Sequence, residues 1–261
     1  MSERNQPVVT IVTVNLNNGT GLARTIASID AQTYGSWEHV IQDGGSTDET
    51  DAVIEGAQDA RRKVVSQRDG GIYQGMNLGL ARATGQLVWF LNSGDELSGP
   101  GVLQLIVDSW LREGWRWAYG SVTMTGATPE ATYTYRRASI ARKRVLLGIE
   151  TYPHPSCIYE LSLLREIGGY RPEFGPPADQ ELCLRAERLA TPQFIDEILS
   201  IFEPGGSAGG YTPRKYEALF REIRRDSGEL SGGNSVIDFL GVQFRMAYRN
   251  ASKLANLMKR S

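Results

Sequence analysis

The chain has 261 residues, 41% hydrophobic and 22% charged, enough to bury one sizeable core or one core with a small appended lobe, and it is expected to be soluble and globular. A formal net charge of -2 gives no global electrostatic reason to expect nucleic acid as a partner, so any anion must be bound locally. No apolar run approaches the length needed to span a bilayer, and residues 1–7 lack an apolar signal core, so the expected location is the cytoplasm, with the inner face of the cytoplasmic membrane as the alternative. Cys157 and Cys183 are expected as buried thiols, without metal-ligand spacing to each other or to His39 and His154.

In chain order, the β-branched run at 8–14 predicts a first strand, bounded by Pro7 and by Asn15-Leu16-Asn17-Asn18-Gly19. Thr20 is a candidate cap for a helix with Leu22, Ile26 and Ile29 inward. A second strand at 37–42 ends in Asp43-Gly44-Gly45-Ser46-Thr47-Asp48, where Ser46 and Thr47 are candidate caps for the helix of Val53, Ile54 and Ala57. A short third strand at 63–66 precedes Arg68-Asp69-Gly70-Gly71. Tyr73, Met76, Leu80 and Ala83 then mark the inner face of a helix closed by Gly85. The apolar run 87–91 fits a fully buried strand, and it stops in Asn92-Ser93-Gly94-Asp95-Glu96.

This alternation predicts a parallel sheet with right-handed crossovers, with the carboxyl ends of four strands along one edge. Asp43, Asp69 and Asp95 share that edge, where open α/β sheets bind ligands. The turn after the first strand is not a Gly-x-Gly-x-x-Gly fingerprint, and no Walker lysine motif occurs, which disfavours a simple dehydrogenase or a phosphate-loop NTPase.

Ile11-Val12-Thr13-Val14-Asn15, Ser28-Ile29-Asp30-Ala31-Gln32-Thr33-Tyr34, Asp43-Gly44-Gly45-Ser46-Thr47-Asp48, Asp69-Gly70-Gly71-Ile72-Tyr73 with Met76-Asn77, Ala83-Thr84-Gly85 and Phe90-Leu91-Asn92-Ser93-Gly94-Asp95 together resemble the family-2 glycosyltransferases. The segments come in the family's order and spacing over about the first hundred residues, and a looser match runs to about residue 205. The branch they look most like is that of small, non-processive bacterial enzymes that decorate exopolysaccharides, O-antigens and glycolipids. The resemblance implies a GT-A fold: a Rossmann-like, mostly parallel sheet flanked by helices, with a small antiparallel acceptor-side subregion and a helical C-terminal tail.

It also implies roles. Asp43 matches the carboxylate that binds the nucleobase, Thr13 a residue lining the same pocket, and Asp69 a further donor-site position; Asn15 and Asn77 fall in the same nucleotide-binding segments. Asp95 matches the carboxylate holding Mn²⁺ or Mg²⁺ on the nucleotide diphosphate. Here the family often has Asp-x-Asp-Asp, whereas this chain has Asn92, Ser93, Gly94 and Asp95, so the metal would rest on Asp95 and the donor's own phosphates.

In the second half, residues 101–112 predict a helix, 117–123 a strand, and Thr132-Tyr133-Thr134-Tyr135 an edge strand. Arg136-Arg137 and Arg142-Lys143-Arg144 form basic clusters, read as a solvated face, with an anionic or lipid-linked acceptor as the alternative. Asp179 begins the helix of Leu182, Arg185, Ala186 and Leu189, where a carboxylate stabilises the helix dipole whatever else it does. The stretch also resembles the family's Glu-Asp motif with Ala178 in place of the Glu, which implies that Asp179 is the catalytic base, with Glu181 as its substitute and Arg185 nearby. His154 matches a position near the acceptor pocket.

These roles imply an inverting transfer of one sugar, hexosyl or deoxyhexosyl, from a UDP- or dTDP-sugar to a saccharide or lipid-linked acceptor. Residues 1–205 form the catalytic domain, split into a nucleotide-sugar half at 1–100 and an acceptor half at 101–205. Residues 206–261 form a helical extension, in which Glu203-Pro204-Gly205-Gly206 opens a lid or linker and 215–225 and 235–260 read as helices. The last helix would pack on the catalytic domain or on a second copy in a homodimer, or lie on an anionic membrane. Two rivals stand beside this reading. A nucleotidyltransferase would need a Gly-rich basic loop that residues 15–21 lack, and a catalytically silent sugar-nucleotide-binding module is suggested by Asn92, Gly94 and Ala178.

Overall fold

Four parallel strands, Val9–Asn15 (β1), Trp37–Asp43 (β2), Arg62–Ser66 (β3) and Leu87–Phe90 (β4), stand side by side in the order β3-β2-β1-β4. They belong to a computed structural model that describes residues 8–126, 128–203 and 212–230. β1, β2 and β4 are buried along their whole length because helices cover both faces, which is why β1 and β4 read as almost continuous apolar or β-branched runs, while β2 buries Glu38, His39, Gln42 and Asp43 beside Trp37, Val40 and Ile41. Alternate residues serve opposite cores. Val12, Val14, Val88 and Phe90 face one, and Val9, Ile11, Leu87, Trp89 and Leu91 face the other.

Helices Gly19–Asp30 (α1), Thr50–Gly56 (α2) and Ile72–Leu80 (α3) connect the strands. β4 is followed by the two-residue strand Glu96–Leu97 (β5) and by helix Val102–Glu113 (α4), which ends on the left-handed Gly114. The sheet then continues through Trp117–Met124 (β6), Tyr133–Tyr135 (β7), Cys157–Glu160 (β8) and Gln193–Phe202 (β9). β8 pairs antiparallel with β4 and β6, β9 runs parallel to β6, and β5 closes that end antiparallel to β9. β7 flanks β6 as the expected edge strand. The antiparallel part is thus an extension of the same sheet. Helices Arg142–Leu146 (α5), Leu161–Ile167 (α6) and Ala178–Leu189 (α7) pack over it.

Several local expectations are corrected. α1 is capped by Asn18, whose side chain accepts from Gly21 N, while Thr20 lies inside the helix and bonds to Glu49. α2 starts at Thr50, because Ser46 and Thr47 are held by Asp43 and Asn17 in the preceding loop. α3 stops at Leu80, five residues before Gly85, which instead touches the first strand: a Cβ there would lie 2.4 Å from Val8 O.

Helix Pro213–Asp226 (α8), within the expected extension, shares the main hydrophobic core: Phe220 and Ile223 are buried in the same cluster as Trp117 and Leu182. Its Arg224, also buried, donates to Leu146 O at 2.8 Å and to Glu217 at 2.8 Å. The expected lid at 204–210 and the helix at 235–260 lie outside the described residues. Both cysteines are buried free thiols. Among the described residues no helix is long and apolar enough to cross a membrane.

Candidate active site

The carboxyl ends of β1 to β4 bring Thr13, Asn15, Asp43, Asp69, Asn92, Ser93, Gly94 and Asp95 to one edge, and their jobs differ from one to the next. Asp43 is fully buried and its two oxygens accept from Asn15 Nδ2 (3.0 Å), Ser46 Oγ (2.5 Å), Gly45 N (3.1 Å), Ser46 N (2.9 Å) and Ser66 Oγ (2.7 Å). Burial raises its pKa, but these donors outweigh it and hold the carboxyl below its ordinary range. A carboxylate offers about four acceptor sites, so Asp43 has none left for a nucleobase. In this arrangement its work is to tie the loop.

Thr13 is engaged in the same way. It is fully buried, donates to Leu91 O (2.7 Å) and accepts from His39 Nε2 (2.9 Å), while His39 Nδ1 accepts from Arg62 Nε (3.2 Å). Burial first, and the Arg62 charge second, push the His39 pKa down to about 3, so this row is neutral at the imidazole and welds β1, β2, β3 and β4 beneath the site.

Asp69 differs. One oxygen accepts from Gly71 N at 3.0 Å; the other, Oδ2, hangs over two glycines, 3.4 Å from where a Cβ of Gly44 would be and 2.7 Å from that of Gly75. Any side chain at Gly75 would strike this carboxylate. Leu16 borders the same space, its Cδ1 3.3 Å from the Gly44 Cβ position, and is 60% exposed although apolar. An apolar wall beside a partly free carboxylate on a glycine floor suits a flat heterocycle with an N–H donor.

Beyond β4 the chain turns sharply at Gly94, whose φ of 100° favours glycine. The turn is pinned from α1 by Thr25 Oγ1, which receives Gly94 N at 3.0 Å and lies 2.7 Å from Asp95 O. Ser93 is held through its carbonyl by Asn18 Nδ2 at 3.1 Å. Asp95 is 4% exposed and its Oδ2 has no hydrogen-bond partner; Asn92 Oδ1 and Asn15 Oδ1 are likewise buried and partnerless. Burial pushes the Asp95 carboxyl well above its ordinary range. Buried acceptor oxygens without donors are rare, and an all-oxygen set fits a hard divalent cation. Among the described residues no group of three or more His, Cys, Asp or Glu could hold a metal unaided, so a cation here would draw its remaining ligands from a phosphate. Glu96 instead pairs with Arg24 at 3.2 Å.

Asp179 opens α7, and Tyr73 of α3 brings that end towards the same edge by donating from its hydroxyl to Pro176 O at 2.7 Å. The residue keeps a partial opening to solvent, yet its carboxyl is enclosed, and this burial pushes its pKa up to about 6. Asn77 does not face the nucleotide edge with a free amide: it donates to Tyr170 O (2.9 Å) and accepts from Tyr170 N (2.8 Å), locking the turn in which Gly169 has φ of 70°. His154 is buried behind Tyr170, 2.7 Å from its hydroxyl, and burial lowers its pKa to about 4. Glu181 is held in an ion pair: Arg185 grips both its oxygens at 2.6 and 2.7 Å and also binds Gly169 O at 2.6 Å. These three residues have one thing in common: each polar side chain is engaged in fixing Tyr170 or α7. Thr25 and Tyr170 support the site without any sequence signal, since a Thr on an apolar helix face and a Tyr after two glycines look ordinary.

Residues 10–167 match the family model of "Glycosyl transferase family 2". An uncharacterized glycosyltransferase of Mycobacterium tuberculosis (strain ATCC 25618 / H37Rv) is 34% identical over 223 residues, 84% of this chain and 82% of the relative. Among solved structures, S. aureus TarS 1–349 in complex with UDP-GlcNAc is similar at a TM-score of 0.70 and 16% identity, over 84% of this chain and 66% of that one. The mannosyltransferase PcManGT from Pyrobaculum calidifontis, in complex with GDP-Man and Mn²⁺, is similar at 0.60 and 14%, over 97% of this chain and 80% of that one. The chain therefore belongs to glycosyl transferase family 2 and is a glycosyltransferase of GT-A fold.

Proposed function

We propose that the protein is an inverting glycosyltransferase that moves one sugar from a nucleotide-diphosphate sugar to a hydroxyl of a saccharide or lipid-linked acceptor. The observation that carries this reading is the set of buried, partnerless acceptor oxygens on Asn15, Asn92 and Asp95 at the carboxyl edge. Asp95 and Asn92 would hold Mn²⁺ or Mg²⁺, and what the ion supplies there is neutralisation of charge on the leaving diphosphate. Asp69 and Leu16 take the nucleobase, the carboxylate accepting the ring N–H of a uracil, thymine or guanine. Asp179, with a pKa about 6, is ionised at neutral pH yet basic enough to take the acceptor's hydroxyl proton. As that O–H bond breaks, the oxygen attacks the anomeric carbon from the face opposite the diphosphate. The bond to the diphosphate oxygen then breaks, its electron pair leaving with the nucleotide. A cytoplasmic location suits such a donor. Contact with a membrane or a second copy would depend on residues 231–261, outside the described residues.

The test is thermal stabilisation by UDP-, dTDP- and GDP-sugars, with and without Mn²⁺, of wild type and Asp95→Ala. One donor should stabilise the wild type in a metal-dependent way, by about 2.7 kcal/mol at a hundredfold excess over its Kd, and the substitution should abolish the effect. Donor binding without any donor turnover would favour the silent binding module instead.

A further inference from the structure

Asp179 has aromatic neighbours from three separate elements: Tyr73 on α3, Tyr170 on the turn after α6, and Tyr216 on α8 all lie within electrostatic reach of its carboxyl. Tyr170 is spent on structure, with its backbone on Asn77, its hydroxyl on His154 and its ring edge-on to Phe90 at 4.9 Å. Tyr73 is half-buried, tilted against Tyr170 at 5.4 Å. Tyr216 is also half-buried, its ring 5.4 Å from Phe220, and among the described residues its hydroxyl has no hydrogen-bond partner.

α8 is held firmly enough to be part of a site. Phe220 and Ile223 anchor its apolar face. Asp226 at its end pairs with Arg171, the residue after Tyr170, at 2.5 Å, and Glu229 just beyond pairs with Arg188 at 2.9 Å. Two arginines beside the cluster are committed as well: Arg171 to Asp226 and Arg185 to Glu181. The surroundings of Asp179 therefore offer ring surface from Tyr73 and Tyr216, the phenol of Tyr216 and a carboxylate to an incoming molecule.

We propose that α8 is a wall of the acceptor pocket, and that Tyr216 and Tyr73 seat a sugar ring with one hydroxyl against Asp179. A pyranose has an apolar C–H face and a hydroxyl rim, and a tyrosine pair matches both with an apolar ring and a polar tip. The inference rests on the glycosyltransferase reading above and adds the acceptor's chemical class and a residue from outside the family match, which ends at 167.

The test compares wild type, Tyr216→Ala and Tyr216→Phe, using the donor that stabilises the wild type and a panel of alkyl and p-nitrophenyl glycosides as acceptors. Loss of an aromatic contact should raise the acceptor KM about tenfold in Tyr216→Ala while the donor Kd stays within about twofold, and Tyr216→Phe should keep most of the acceptor affinity. Unchanged KM in Tyr216→Ala, or an equal loss of donor affinity, would overturn the proposal. So would a wild type that turns over donor but transfers to no glycoside. A wild type that binds no donor at all would instead remove the reading beneath it.

Discussion

Asp43 and Asp69 lie on neighbouring strand ends, yet they contrast in what their oxygens are doing. Replacing Asp43 by Asn removes acceptors from a buried five-donor knot, and should cost about 1–3 kcal/mol in thermal unfolding. Replacing Asp69 by Asn should leave the melting temperature nearly unchanged and weaken UDP or GDP binding about tenfold in titration calorimetry, because it removes only one acceptor at the nucleobase. The opposite pattern would return the nucleobase to Asp43. Asp179 has a folded-state pKa of about 6, above the ordinary carboxylate value of 3.8. The sign follows: the folded state favours the protonated acid, so this contribution is complete below about pH 4 and is lost as pH rises through 6. Asp179→Asn should therefore stabilise the protein by up to about 3 kcal/mol at pH 7.5 and by almost nothing at pH 4, read as the difference in melting temperature. Wild-type kcat/KM should fall on the acid side with an apparent pKa about 6.

At the scale of elements, α3 links the carboxyl edge of the parallel strands to the start of α7. It lies flat on β1 through two glycines, and a Cβ on Gly79 would sit 2.4 Å from Val12 Cγ1. Alanine normally gains about 1 kcal/mol over glycine inside a helix. Here overpacking of about 1–3 kcal/mol should win, so Gly79→Ala should lower the melting temperature and, by lifting Tyr73, lower turnover as well. α3 itself was legible, because Tyr73, Met76, Leu80 and Ala83 repeat at helical spacing. Its end was not: Gly85 looks like a stop signal, but it is there for close approach to Val8. β5, β8 and β9 were missed because two of them are four residues or fewer, and β9 alternates too irregularly to stand out, with exposed Asp196, Glu197 and Ile198 along it. The carboxyl edge was legible because β-branched runs ending in Asp fix where side chains emerge. Which of those side chains is free was not, since saturation of Asp43, Thr13 and Asn77 depends on partners up to 93 residues away.

Across the whole molecule, the sheet joins four parallel strands to a mixed set in which β8 is antiparallel to its neighbours and β9 parallel to β6, and α8 closes that second part rather than trailing from it. Ending the chain at residue 203 would strip Phe220, Ile223 and Arg224 from the core and uncover Trp117's cluster. Such a truncation should unfold well below the full chain and bind the hydrophobic dye ANS, whereas a tail that merely trails would come off without effect. The account as a whole turns on Asp179 acting on the acceptor while the carboxyl edge holds the donor. The most direct measurement is nucleotide release from the stabilising donor, with Mn²⁺ and an accepting glycoside, by wild type and Asp179→Asn. The account predicts a loss of about 10²–10⁴ in kcat with donor Kd within about twofold. An Asp179→Asn enzyme that transfers sugar at the wild-type rate would contradict it.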